Sequence, residues 1–524
     1  MSLSVTMNDI YDIGIRDDNL NLMNACDADA KVAIKTPVGL TERVSVSNTV
    51  AQGDVNSTVK CTITTNDISE EHEPNLEEYI YKYKNTVPVP PLGMVDDIFN
   101  AAECGLPSAL AVAHLNAQTN LKKLQYGKAK CVQMHVGCQS PCPNNYIDSW
   151  TVESNKDEMS SVWDLVDKEA EKHCMEKVTE WKYLGDIIQS NSKCDANIKN
   201  RVSKGIGACN QVMQMSKDLC LGKFFFQGAL ILRAALFLSS LISNSEAWVN
   251  LTEKNLADLE AVDEQLLRNI LSAHAKTPKE LLYLETGSLP VRYVIMSRRI
   301  TFLHYILCEN DDTLLRNFFE AQCAHPIKGD WVSTVKNDLE SVGIKMSFED
   351  IRKCSKNSFK DLVKKAIRSK AFRSLIEAKE KHSKGGEIGY EELNLQEYLQ
   401  ADSPLSLKEK RFAFAVRSRG LDLRNNFKAG KSDLNCRLCK ENLEDQAHLL
   451  VCPALSKVGT QTSQPHYSDM FSQNIGELKL ITKHLLDKFT NFSIQVNRLP
   501  SKKPSSAAKV SIVNDDIITL VDLE

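Results

Sequence analysis

The sequence has no strong excess of charge of either sign. Its 524 residues include 64 Lys and Arg and 68 Asp and Glu, which gives a formal net charge of −4. This balance argues against a uniformly basic nucleic-acid-binding protein, although charge can be segregated along a chain. Hydrophobic residues (42%) and charged residues (25%) occur in ordinary fractions, which excludes collagen-like, coiled-coil and wholly disordered chains. At roughly 100–200 residues per domain, the length suggests about three or four domains.

The sequence also lacks a long uninterrupted apolar segment. The most apolar stretch, residues 224–242, contains Gln227 and Arg233, and its strictly apolar part is far shorter than the ~20 residues of a membrane-spanning helix. We interpret it as a buried helix, with a membrane segment as the alternative. The first residues have neither the basic region nor the apolar region of a secretory signal. We therefore expect an intracellular protein, in the nucleus or cytoplasm, that is not secreted and has no membrane partner.

Sixteen cysteines in a chain of this kind are expected to be reduced thiols or metal ligands, and not a disulfide framework. Four residues have the spacing of a zinc site: Cys436, Cys439, His448 and Cys452. Three thiolates and one imidazole can close a tetrahedral Zn²⁺ shell, and the metal would then supply most of the folding energy of so small an element. The alternative is that four unrelated residues of a Cys-rich chain happen to lie close together in sequence.

A less regular group consists of His135, Cys138 and Cys142. Its spacing permits a second metal site but matches no motif that we can place. Ordinary core or surface thiols are the alternative, and the sequence leaves both open.

Charge is segregated along the chain. Residues 1–100 contain 16 acidic and 7 basic side chains, whereas residues 351–440 contain 22 basic and 11 acidic ones. The basic stretch is either a solvated helical surface or a surface that contacts nucleic-acid phosphates. Within it, the Arg-rich segment 408–424 also contains aromatic side chains, which can stack on bases. Its candidate nucleic-acid-binding residues are Arg411, Arg417 and Arg419.

The patterning predicts an α+β fold. Short β-branched runs bounded by Gly, Pro, Asn and Asp predict strands before about Trp181. From about Ala196 the pattern is helical, and the clearest helix begins at the N-cap candidate Thr252. We predict these regions: a mixed region with short strands (1–190), a helical region (191–330), a basic helical region (331–430), a zinc-knuckle-like element (431–455) and a partly flexible tail (456–524).

An acidic pair, Asp96 and Asp97, interrupts an apolar run. The residues on either side predict a hairpin with the pair at its turn. At a turn both carboxylates can reach one divalent cation, which offsets their mutual repulsion. Such pairs are also common in turns that bind nothing, so the pair alone leaves both interpretations open.

Further motifs surround this pair in a fixed order. Gln52-Gly53 comes before it, a basic stretch ending near Lys130 follows, and Tyr183-Leu184-Gly185 comes last. The ordered set resembles the palm of reverse transcriptases from non-LTR (LINE-type) retrotransposons. Residues 244–271 are similar to the helical thumb of the same elements, and the Cys/His element is similar to their C-terminal knuckle. The resemblance runs over roughly residues 8–455. It implies that region 1–190 is an incomplete reverse-transcriptase palm and that region 191–330 is thumb-like.

The resemblance implies RNA-directed DNA synthesis by two-metal transfer, in which carboxylates bridge two ions about 3.5–4 Å apart. It implies that Asp96 and Asp97 bind Mg²⁺ or Mn²⁺ and that Lys130 lies near the leaving phosphate. It assigns Gln52-Gly53 to the pocket for template and incoming nucleotide, and Tyr183-Leu184-Gly185 to the turn that grips the primer strand. The implied partners are RNA and DNA, together with other retroelement proteins.

The sequence departs from this family in the first palm motif. The family has a further metal-binding Asp just upstream of the segment that matches residues 7–14, and the six residues before that segment contain no acid here. Residues 56–60 are also polar where the family has an apolar helix. We therefore expect a reverse transcriptase fragment without polymerase activity. The alternatives are a non-catalytic RNA- or single-stranded-DNA-binding remnant and a helical scaffold unrelated to nucleic acid.

Overall fold

The computed structural model of the chain contains two units. One consists of Met1–Lys193 with Glu309–Lys328, and the other of Cys194–Cys308 with Gly329–Glu524. The residues that the structure describes are 3–27, 31–33, 35–37, 39–45, 59–66, 81–94, 97–102, 115, 119, 130–136, 176–382, 384, 386–427, 433–455, 465–472 and 474–498.

The protein is mainly helical, with small two-stranded sheets, and this confirms the α+β class at a coarse level. Residues 59–66 are helical. The other α-helices are α1 (Leu3–Asp12), α2 (Asp17–Asp27), α3 (Asp195–Asp218), α4 (Phe225–Leu232), α5 (Leu238–Leu241), α6 (Glu253–Leu271), α7 (Lys279–Thr286), α8 (Val291–Cys308), α9 (Leu314–Ala324), α10 (Trp331–Ser341), α11 (Phe348–Lys353), α12 (Lys356–Lys379), α13 (Leu407–Arg417), α14 (Gln446–Val451) and α15 (Ile475–Asn497). Short 3-10 turns lie at Gly222–Phe224, Ser245–Ala247, Glu397–Leu399, Arg424–Asn426, Pro453–Leu455 and Tyr467–Phe471, and a π-helical turn at Arg233–Phe237.

The described strands belong to the first unit. They are β1 (Lys31–Val32), β2 (Lys35–Thr36), β3 (Gly39–Leu40), β4 (Val44–Ser45), β5 (Lys82–Tyr83), β6 (Val87–Pro88), β7 (Leu92–Met94), β8 (Asp97–Phe99), β9 (Val132–Gln133), β10 (Glu176–Lys177), β11 (Glu180–Tyr183) and β12 (Asp186–Gln189). Strand β9 pairs with β10 in parallel, and the pairs β1–β4, β2–β3, β5–β6, β7–β8 and β11–β12 are antiparallel. Helix α9 also belongs to this unit, because Phe318 packs its ring edge-on against Tyr83 with centroids 5.1 Å apart. This grouping differs from the predicted region 191–330, which included α9.

Two hairpins of the first unit carry predicted site residues. In the β7–β8 hairpin, Met94 is opposite Asp97, so the predicted hairpin at the acidic pair is present. In the β11–β12 hairpin, Tyr183 is opposite Asp186. The two connecting residues, Leu184 (φ 47°) and Gly185 (φ 90°), both have left-handed backbones, as a type I′ turn requires. Glycine adopts this conformation readily, whereas it costs Leu184 about 1–2 kcal/mol.

The core of the second unit includes the helix that the sequence predicts most clearly. Thr252 is the N-cap of α6, and it forms a capping box with Asn255. The apolar residues Leu259, Val262, Leu266, Leu267 and Ile270 recur at helical spacing and are buried. Helix α6 packs along α3, so this amphipathic helix has its partner within the same unit.

The most apolar stretch is helical and lies partly in this core. Gly222–Leu241 is long and apolar enough to cross a membrane, by length and composition, and 39% of it is buried within the structure. Its π-helical turn contains Arg233, whose guanidinium forms a buried ion pair with Asp263 at 2.7 Å. Phe226 and Phe237 are fully buried. The segment therefore has both apolar and ionic partners inside the second unit.

Helix α15 was not predicted from the sequence, which we interpreted as a partly flexible tail after residue 455. Its apolar face buries Leu478, Ile481, Leu485 and Phe492 at helical spacing. The sequence pattern was hard to recognise because Thr482 and Lys488 are buried on the same helix. Part of the predicted tail is thus a packed element of the second unit.

The buried carboxylate of Glu285 connects several segments of the second unit. Its Oε1 accepts hydrogen bonds from the Tyr390 hydroxyl (2.8 Å) and Arg417 Nε (3.1 Å), and its Oε2 accepts one from the Tyr398 hydroxyl (2.8 Å). Burial and the Glu285 charge raise the pKa of both tyrosines well above its usual value, so the hydroxyls remain protonated donors. Three side chains from other segments of the second unit therefore donate hydrogen bonds to the Glu285 carboxylate.

Replacing Glu285 by Ala leaves Arg417 buried without its counter-charge. Because breaking a buried ion pair at one partner costs about 3–5 kcal/mol, we expect Glu285→Ala to lower the free energy of unfolding by that amount in urea denaturation. The control Glu387→Ala removes the partner of Arg419 in a partly exposed pair, for which we expect a loss below about 1 kcal/mol. Equal losses in the two variants would contradict the role given to Glu285.

Candidate metal centre

The four metal ligands that the sequence predicts converge in the second unit. The sulfur atoms of Cys436, Cys439 and Cys452 and an imidazole nitrogen of His448 all lie within 4.8 Å of one another. Cys439 Sγ is 3.3 Å from His448 Nε2, and Cys436 Sγ is 3.9 Å from Cys452 Sγ. Bonds of about 2.3 Å to sulfur and 2.0 Å to nitrogen place tetrahedral ligands roughly 3.5–3.8 Å apart. The cluster can therefore hold a metal ion such as zinc.

The first pair of ligands lies on a tight turn. The Cys436 N–H donates to the Asn442 carbonyl (2.7 Å), and the Lys440 N–H donates to the Cys436 carbonyl (3.0 Å). Lys440 has a left-handed backbone (φ 65°), which closes the turn. The Leu438 N–H points at Cys436 Sγ (3.4 Å), where it stabilises negative charge on the sulfur. The turn therefore presents both thiols to one point.

The second pair of ligands lies on the short helix α14. Asp445 is its N-cap and accepts a hydrogen bond from the His448 N–H at 2.9 Å. Cys452 is the C-cap residue, four positions after His448. Residues four apart lie on the same face of a helix, so the cap and the helix together direct this pair toward the thiols of the turn.

Glu444 holds the turn and the preceding segment together, and the sequence analysis did not identify it. Its side chain is fully buried and accepts hydrogen bonds from the backbone N–H groups of Arg424 and Arg437, both at 2.8 Å. The Arg437 guanidinium also donates to it. The sequence does not indicate that Glu444 connects these segments, because its partner Arg424 lies twenty positions away.

The electrostatics of the cluster favour a bound cation. Burial raises the pKa of Cys452 to about 12, and the nearby thiols of Cys436 and Cys439 add to this shift. Burial also acts on Cys439, but hydrogen bonds from the backbone of Glu441 and Asn442 outweigh it and lower that pKa. Three thiolates this close together repel one another unless positive charge lies between them. A divalent metal ion would supply it.

In the first unit, the structure brings two of the predicted palm elements together. The rings of Phe99 and Tyr183 are in contact, with centroids 5.9 Å apart. Burial and the nearby Asp97 carboxylate raise the pKa of Tyr183. Asp97 itself is exposed, and Lys130 is exposed just before β9. The hairpin that carries Asp97 is therefore a neighbour of the hairpin that carries Tyr183.

Several predicted residues lie outside the described part of the chain. They are Gln52, Gly53, Asp96, Cys138 and Cys142. His135 is described and half-buried near β9. The nucleotide pocket, the second acid of the pair and the second metal group therefore stay predictions.

The three candidate nucleic-acid-binding arginines have different surroundings. Arg417 is buried, and its guanidinium binds Glu285 and the Met470 carbonyl, which gives it a structural role and not the predicted surface role. Arg411 is half-buried, with its guanidinium carbon 4.7 Å from the centre of the Phe225 ring. Arg419 keeps 34% of its side chain exposed. A basic stretch in the sequence therefore does not translate directly into a basic surface.

No family model matches the chain, and no curated protein matches it. The resemblance to LINE-type reverse transcriptases therefore stays a prediction that depends on the residues quoted above.

We expect one zinc ion per chain after native purification, as measured by native mass spectrometry. Cys439→Ser removes one thiolate ligand and should lower zinc occupancy by at least about tenfold, because ligand loss removes a large part of the binding free energy. The control Cys220→Ser changes an exposed thiol outside the cluster and should retain one zinc. A metal-free native chain would contradict the assignment.

Proposed function

We propose that this chain binds RNA or single-stranded DNA through its Cys/His element, with zinc as the structural metal, and that it derives from a LINE-type reverse transcriptase. The observation that carries the proposal is the convergence of Cys436, Cys439, His448 and Cys452 at one point. Zinc knuckles use a small metal-organised surface to bind unpaired bases and phosphates.

The surface around the cluster suits this ligand class. Leu443 and Val451 keep 49% and 68% of their area exposed. Lys440, three positions before Leu443 in the sequence, is exposed too. Single-stranded nucleic acid offers both a charged backbone and flat apolar base faces. Exposed apolar side chains next to a cation match that combination.

The element also has rigid support from helix α15. The Arg437 guanidinium carbon lies 5.2 Å from the centre of the Phe492 ring on α15. Lys488, also on α15, donates from Nζ to the Leu455 carbonyl at 2.6 Å. Contacts with a long helix fix the orientation of the element, which lowers the entropy cost of binding.

Binding to a labelled single-stranded oligonucleotide tests this proposal directly. We expect fluorescence anisotropy to show an affinity that falls steeply with salt, with a slope of about −0.7 per phosphate contact in a plot of log K against log salt. Cys436→Ser should weaken binding by at least about tenfold, because the metal-organised surface is lost. A flat salt response, or full affinity in the metal-free variant, would contradict the proposal.

A polymerase-type site in the first unit is the second candidate function. It is favoured by the contact between Phe99 and Tyr183, which places the Asp97 hairpin beside the predicted primer-gripping turn. In that function Asp97 would hold Mg²⁺ or Mn²⁺, and Tyr183-Leu184-Gly185 would contact the primer strand. The exposed side chain of Leu184 is available for such a contact.

The polymerase candidate predicts primer extension on a poly-rA template with Mg²⁺ or Mn²⁺. Asp97→Asn should reduce incorporation by about 100-fold or more, because transition-state charge loses its metal stabilisation. Glu180→Gln, a control on the exposed face of the other hairpin, should leave incorporation unchanged. A chain that extends no primer, or extends it equally well with Asn at position 97, rejects this candidate and leaves the binding proposal intact.

A further inference from the structure

Two loops of the second unit bring basic side chains close to the ring of Phe427, which lies on a third loop. His274 and Lys276 come from the loop between α6 and α7, and Lys384 comes from the segment after α12. The His274 ring centroid is 4.4 Å from that of Phe427. The ammonium nitrogens of Lys384 and Lys276 are 4.2 and 5.9 Å from the same ring centre. We call these four residues the Phe427 cluster.

The Phe427 cluster has an excess of positive charge. Within the described part of the chain, neither Lys276 nor Lys384 forms an ion pair with a carboxylate. Lys384 donates to the Arg419 carbonyl at 3.3 Å, and Arg419 adds a further cation, which Glu387 partly neutralises. Cations held close together without equal negative charge repel each other, and a bound anion would remove that cost.

Electrostatic effects on the individual groups agree with this excess. Burial, Lys276 and Arg419 all lower the pKa of Lys384. Burial, Lys384 and Lys276 lower the pKa of His274, and Asp422 opposes them only in part. Neighbouring positive charge therefore destabilises the Lys384 ammonium and disfavours protonation of His274.

His274 has a defined tautomer in this cluster. The Lys276 backbone N–H donates to His274 Nδ1 at 3.0 Å, so the proton of the neutral ring is on Nε2. The ring is thus an N–H donor that lies beside two ammonium groups. A neutral N–H donor with two ammonium groups nearby suits an oxyanion with several acceptor oxygens, such as a phosphate group.

The cluster is tied to the candidate metal centre. Phe427 directly follows the turn Arg424–Asn426, whose Asn425 N–H donates to the Glu444 carbonyl at 3.0 Å. The Glu444 side chain accepts from the Arg424 N–H at 2.8 Å. Glu444 lies in sequence between the two pairs of candidate metal ligands. The segment that contains Glu444 therefore contacts both the candidate metal centre and the turn that precedes Phe427.

We propose that the Phe427 cluster binds a phosphodiester group of the single strand that contacts the Cys/His element. This inference rests on the proposed function and adds to it a second contact point for the same strand. The Phe427 ring holds the Lys384 ammonium through a cation–π contact and the His274 ring through a ring contact. The phosphate is then bound by Lys276, Lys384 and His274 Nε2–H.

The test uses the full-length, zinc-loaded chain and a labelled oligo-U 20-mer, with affinity measured by anisotropy over a range of salt. The variant Lys276→Gln/Lys384→Gln should reduce the salt slope by about 0.7, because the cluster contacts one phosphate. At 0.15 M salt this corresponds to an affinity loss of roughly fourfold. Lys276→Arg/Lys384→Arg keeps both charges and should keep the slope.

The matched control is Lys199→Gln/Lys254→Gln. It removes the same charge from two exposed lysines that flank the groove between α3 and α6, and it should leave the slope nearly unchanged. Equal changes in the two Gln variants would overturn the inference while the proposed function stands. A wild-type chain that binds no oligonucleotide would overturn both.

Calorimetric titration with inorganic phosphate separates a strand-bound phosphodiester from a free anion. We expect no saturable binding of phosphate alone in the millimolar range. Saturable binding that disappears in Lys276→Gln/Lys384→Gln would reassign the cluster to a free phosphate and overturn the proposal.

Discussion

The second unit depends on the buried ion pair between Glu285 and Arg417. Helix α7 ends just after Glu285 at Gly287, whose left-handed backbone (φ 65°) allows a very close approach of the chain at Asn394; a Cβ atom at Gly287 would be only 2.4 Å from that backbone. The Gln396 N–H can therefore bond the Glu285 carbonyl, while Arg417 reaches the carboxylate from the end of α13. Buried ion pairs add little net stability, but a misplaced partner is costly, so they select one arrangement of the segments.

The segment that leaves this ion pair supports both proposed contact points for nucleic acid. The chain leaves α13 at Arg417, passes Arg419, and is bound by Glu444 at Arg424, just before Phe427. Loops that bind ligands are usually mobile unless a scaffold holds them. Here the Glu285–Arg417 ion pair holds one end of the loop, and Glu444, which lies between the two pairs of candidate metal ligands, holds the other end. Pre-positioning of this kind lowers the entropy that binding must overcome.

Local patterns predicted the parts of the molecule that form within a short stretch of sequence. The metal ligands span seventeen residues, and the Thr252 cap and the stripe of α6 follow from helical period alone. Long-range partners were not predictable: Arg417 looked like a surface cation because Glu285 lies 132 positions away. The Phe427 cluster draws on three separate loops, so no window of sequence contains it. The palm motifs remain a prediction, because no family model matches the chain.

The basic composition of residues 351–440 overstates the positive surface that this region offers. Arg417 is neutralised by Glu285, and Lys379 and Lys410 are buried and donate to backbone carbonyls. By contrast Lys276, which lies outside the basic stretch, is exposed beside Phe427. The attraction for phosphate thus depends on which cations the fold leaves without carboxylate partners, and a chain with a net charge of −4 can present a local cationic site. Because such a site is small, its salt dependence should reflect a few defined contacts and not the overall charge of the chain.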